Sequence, residues 1–77
     1  MNKARRAQLS DLSERIGIIR EELETIRDEE QEYHDNMPEG IQNGDKGSAS
    51  EEAISSMEDG IGSLEEAENS ITNATDN

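Results

Sequence analysis

The chain has 77 residues, 29% of them hydrophobic, and sets 20 acidic against 7 basic side chains for a net charge of −13. It contains no Cys, Trp or Phe, so no disulfide or thiolate-bound metal staples it, and one small core is a weak source of stability at this length. The charge balance argues against duplex nucleic acid as a partner. No apolar run has the length of a membrane span or the character of a signal peptide, which predicts a cytoplasmic protein.

High charge with low hydrophobicity is the mark of disorder, but the apolar residues are too regularly placed for that reading. Leu9, Leu12, Ile16, Ile19, Leu23 and Ile26 alternate steps of three and four, and Tyr33 and Met37 resume the pattern after Glu30 takes an apolar slot. Leu9, Ile16, Leu23, Glu30 and Met37 are the a positions of a heptad; Leu12, Ile19, Ile26 and Tyr33 are its d positions. The spacing predicts a first helix over about 5–36, ended by Pro38, which disfavours helical backbone at Met37.

The segment 37–49, with three Gly, one Pro and two Asn from Asn36 onward, reads as a loop. It is longer than bundle connections usually are, a trait of functional or mobile loops. Beyond it the sequence repeats: EEAISSM, EDGIGSL and EEAENSI share an acid, acid, small, variable, variable, Ser, apolar frame. Ile54, Met57, Ile61, Leu64 and Ile71 form the stripe of a second helix over about 50–72, with Glu68 in an a slot. Ala53, Gly60, Ala67 and Ala74 line its edge, where another backbone can come close. Ser48 and Glu51 have capping-box spacing, and 73–77 reads as a frayed tail. The predicted fold is all-α: an antiparallel two-helix hairpin that gains burial by assembling into an oligomeric bundle.

Charge divides along the sequence. Residues 1–20 carry a net +3, whereas 39–77 carry ten acids and only Lys46, a net −9. The adjacent acid pairs are what so acidic a sequence contains on solvated helix faces, and do not point to acid–base catalysis. Glu30, His34 and Asp35 lack the further ligands of a bundle metal site, and NGDKGSASEE lacks the alternating oxygens of a calcium loop. With no nucleophile motif, phosphate loop or material to wall a pocket, the protein reads as a non-enzyme that needs no cofactor.

Recognition residues are easier to nominate. Arg20 and Arg27 fall at e and Arg15 at g, flanking the seam, where they either pair with glutamates of the second helix or converge on an anion between subunits. Tyr33 is the one aromatic residue and stands near the end of the first helix, placed as core or as a stacking platform. Asn36, Gln42 and Asn43 offer amides that read base edges.

The stretch DEEQEYHDNMPEGIQ, followed after a Gly/Ser-rich link by EEAISSMEDGIGSLEEA, resembles the phage anti-CBASS sponge family. These are small oligomeric proteins that sequester cyclic dinucleotide signals of bacterial immunity. The likeness covers about residues 8–70, and 29–42 is its distinctive part. It implies a tetramer, a dimer of dimers, holding ligand such as 3′,3′-cyclic GMP-AMP between subunits without changing it. By chemistry and proximity, the ligand would meet Tyr33, Asn36, Gln42, Arg20 and Arg27, with Arg5, Arg6 and Lys46 as further cations. The rival reading is an acidic inhibitor or DNA mimic that fills a basic cleft on a host protein. A third, a structural coiled-coil adaptor, fits poorly with the glycines of the second helix.

Overall fold

A computed structural model describes residues 1–76 as three helices: α1 (Lys3–Asp35), α2 (Glu39–Gln42) and α3 (Asp45–Asp76). No strand occurs among the described residues. The two long helices pack as an extended antiparallel hairpin measuring 59 × 14 × 12 Å. Asn2 caps α1, its Oδ1 accepting from the Arg5 N–H at 2.8 Å, so the helix starts two residues earlier than the periodicity suggests. At the far end the Asn36 N–H donates to the Glu32 carbonyl, and Pro38 stops the helix as expected.

The segment 37–49 corrects the expected loop. Pro38 is extended, and its carbonyl accepts from the N–H groups of both Ile41 and Gln42, winding the single turn α2. After Asn43 and Gly44 the backbone is already in α3, whose first turn begins with Asp45 at the favourable end of the helix dipole. Ser48 therefore lies inside the helix and not at its cap. The turn residues act as corners between helices, and no glycine needs a positive φ. The expected tail is corrected over 73–76, which continue α3, and its last residue, Asn77, lies outside the described residues.

Gly47 explains how so tight a corner closes. It is buried against α2, and a Cβ there would overlap the carbonyl carbon and oxygen of Gln42 and lie 2.8 Å from its Cα. Nothing larger than glycine fits while α2 keeps its place.

The seam holds a further correction. The α3 stripe faces α1 as expected, with Ile54 and Ile61 only 7% exposed and Met57, Leu64 and Ile71 half-buried. On α1, however, the half-buried heptad positions are a, e and b: Leu9, Ile16, Leu23 and Glu30 with Ser13, Arg20, Arg27 and His34 and with Gly17, Glu24 and Gln31, while Met37, half-buried as well, lies just beyond the helix. The d row stands in the open, Leu12 at 41%, Ile19 at 52%, Ile26 at 53% and Tyr33 at 55% exposure. Polar pairs hold this rotation. Arg20 Nε donates to Glu68 Oε1 at 2.6 Å, and the buried Ser50 hydroxyl donates to Glu30 Oε2 at 2.6 Å. These join the two glutamates that interrupt the apolar stripes to the opposite helix. Turning the d row inward would break both bonds and strand their partners in the seam. The small edge of α3 also serves the packing, because a Cβ on Gly60 would lie 3.3 Å from Leu23 Cδ2.

Candidate functional site

The nominated residues fall at two ends of the rod. At the corner end, Tyr33 presents its ring on the outer flank of α1, and Asn36, exposed, follows at the helix terminus. Lys46 is exposed in the first turn of α3. Gln42 is not free in the same way: its Nε2 donates to the His34 carbonyl at 3.0 Å, tying α2 to the end of α1. His34 is mostly buried, with Nε2 3.3 Å from Glu51 Oε1 and Nδ1 3.7 Å from Asp35 Oδ1, and neither nitrogen forms a hydrogen bond. No cluster of three or more metal-ligating side chains occurs among the described residues.

The arginines divide into engaged and open ones. Arg20 is gripped by two carboxylates, Glu68 across the seam and Glu24 one turn on at 2.5 Å. Its hydrogen bonds to Glu68 first and Glu24 second raise its pKa further above the ordinary arginine value, so it remains a cation. A polar hollow of about 370 Å³ opens beside it, lined also by Glu65 and Asn69, but two carboxylates on one guanidinium leave no positive charge for an anion. The interhelical ion-pair reading thus describes Arg20. Arg27 is half-buried and bonds its neighbour Asp28 at 2.9 Å, within its own helix.

Arg5 and Arg6 are exposed near the start of α1, about 42 Å along the axis from Tyr33. A single hairpin does not bring them to the ring. At that end lies a shallow groove of about 530 Å³, lined by Met1, Arg5, Leu9, Leu12 and Arg15 among others. Counting back by sevens, Arg5 opens the d row, so the groove is the beginning of the same flank that Tyr33 ends. Sequence reasoning missed this continuity by assigning the d row to the hairpin seam. The signal was visible in Glu30 and Glu68, whose polar partners had to lie across the seam at positions other than d.

The structure therefore joins Tyr33 to Asn36 in one place and Arg5, Arg6 and Arg15 in another, with an apolar row running between them. No helix among the described residues is long and apolar enough to cross a membrane. Comparison with family models, curated proteins and solved structures finds no match to this sequence.

Proposed function

We propose that the protein sequesters a cyclic oligonucleotide signal, such as 3′,3′-cyclic GMP-AMP, between subunits of a homo-oligomer, serving as a phage-type agent of immune evasion. It performs no chemistry on the ligand. The observation that carries this reading is Tyr33: the one aromatic residue stands 55% exposed on the outer flank of α1, beside the exposed Asn36. A flat base stacks on such a ring while an amide meets its edge, and stacking contributes roughly 1–3 kcal/mol per base. The two phosphates need guanidinium groups, and the arginines with least internal engagement are those at the other end of α1. A complete site therefore draws on more than one subunit. Isothermal titration of the protein with a panel of cyclic di- and trinucleotides tests this. The reading requires saturable binding, intact nucleotide recovered after heat denaturation, and loss of binding in Tyr33→Ala with helicity and assembly retained; loss of the oligomer in that variant would make Tyr33 a packing residue and not a site.

A second reading has its own support. Glu51, Glu52, Glu58, Asp59, Glu65 and Glu66 are all exposed along α3, so a narrow rod presents a long anionic surface suited to a basic cleft. In that case neutralising Glu58, Asp59, Glu65 and Glu66 abolishes activity, and Tyr33→Ala leaves it intact.

A further inference from the structure

From Arg5 to Tyr33, five residues at a strict seven-residue spacing form the outer row of α1: Arg5, Leu12, Ile19, Ile26 and Tyr33. The row's apolar part extends about 32 Å, and its four residues remain 41–55% exposed in the hairpin. A folded protein seldom leaves a continuous heptad row bare. Its charge pattern says what covers it. Residues 3–19 of α1 carry Lys3, Arg5, Arg6 and Arg15 against Asp11 and Glu14, a net +2; residues 20–35 carry Arg20 and Arg27 against eight acids, a net −6. A second α1 laid parallel would set −6 against −6. Laid antiparallel, it sets each basic half against an acidic one.

We infer that the outer row of α1 binds the same row of a second copy, antiparallel, with the two-fold axis between Ile19 and Ile26. In that register Ile19 meets the partner's Ile26 and Leu12 meets the partner's Tyr33. The ring enters the groove beside Leu9 and Leu12, within reach of the Arg5 guanidinium, a pairing of cation and aromatic face. Arg15, exposed and held only by Asp11 of its own helix at 3.3 Å, faces the partner's Glu29, which is also exposed. Glu22 of the two copies approach each other across the axis, a repulsive contact that the arrangement carries. The inference specifies the subunit contact that the sequestration reading calls for: it brings Tyr33 and Asn36 of one subunit to the arginines of another, with one face of the ring packed on the partner's Leu12 and the other, met by Arg5 when no ligand is bound, left for a base. It does not depend on any nucleotide.

The protein has no cysteine, so disulfide trapping reports the orientation without background. Arg15→Cys and Glu29→Cys proteins, mixed in equal amounts and oxidised gently without nucleotide, are expected to give the mixed 15–29 disulfide as the predominant product. Ile26→Asp, which puts a charge into the row, should weaken self-association by about a hundredfold or more. Predominant 15–15 and 29–29 disulfides would mean a parallel pair and overturn the inference. So would a wild-type protein that stays monomeric at every concentration, leaving the row to a different macromolecule. Should Ile26→Asp fail to fold, the disulfide pattern still decides. Because nucleotide is absent throughout, failure of the titration above leaves this result untouched, and failure here leaves nucleotide binding to be judged separately.

Discussion

The two flanks of α1 carry nearly the same apolar repeat and meet different fates. The inner flank, with Leu9, Ile16 and Leu23, is half-buried against α3 and fixed by the Arg20–Glu68 and Ser50–Glu30 bonds. The outer flank, with Leu12, Ile19, Ile26 and Tyr33, has more β-branched and aromatic character and is bare. What separates them is the placement of polar partners, not hydrophobicity: Glu68 and Ser50 supply bonds that only one rotation of α1 satisfies. A heptad stripe therefore counts how much apolar surface a helix carries, and the polar exceptions decide which neighbour receives each half.

The comparison can be broken first at the corner that holds α3 against the inner flank. Gly47→Ala should cost on the order of 3 kcal/mol, since the methyl group collides with backbone and not with a flexible side chain. Thermal unfolding followed by circular dichroism would show a midpoint lower by more than about 10 °C. Ile61→Ala, in the seam, should cost about 2–4 kcal/mol. The matched change on the outer flank, Ile26→Ala, should leave hairpin stability nearly unchanged at dilutions where subunits are separate. A destabilisation equal to that of Ile61→Ala under those conditions would erase the distinction between the flanks.

Arg20→Met should lower the midpoint by less than Ile61→Ala, because Glu68 and Glu24 lose a shared cation. Adding Glu68→Leu should recover the loss, as replacing both members of a pair by apolar groups often does. The sign of the pH effect follows from the raised pKa of Arg20. Its contribution is fully present below the ordinary arginine value and fades only as pH climbs through the higher folded value, so this group brings no loss of stability near neutrality. Smallest of all, Gly62→Ala should stabilise α3 by about 0.5–1 kcal/mol, because a Cβ there meets nothing within 4 Å. An unchanged or lowered midpoint would mean that Gly62 faces a surface absent from the single hairpin.

Much of the hairpin was legible in the sequence. Leu9 to Tyr33 and Ile54 to Ile71 announced two helices and Pro38 announced the break, whereas the small residue Gly60 receives the Leu23 side chain and not the backbone that its row announced. The α2 corner was not legible, since Pro38, Gly44 and Gly47 read alike as loop residues. Only the packing of Gln42 on Gly47 distinguishes a helical corner from a flexible link. The Arg20 ion pair was one of two readings of an e-position arginine, and a contact between residues 48 apart decided it. The site was less legible than the fold. Tyr33 at d is compatible with a seam residue or an exposed ring, and the periodicity is identical in both cases.

Sedimentation equilibrium of the nucleotide-free protein, run beside Ile26→Asp, tests the division of α1 into an inner and an outer flank most directly. The predicted result is a wild-type mass of at least two subunits that falls to the monomer's 8.5 kDa in the variant, with helicity intact. A wild-type protein at 8.5 kDa across the whole concentration range would contradict it.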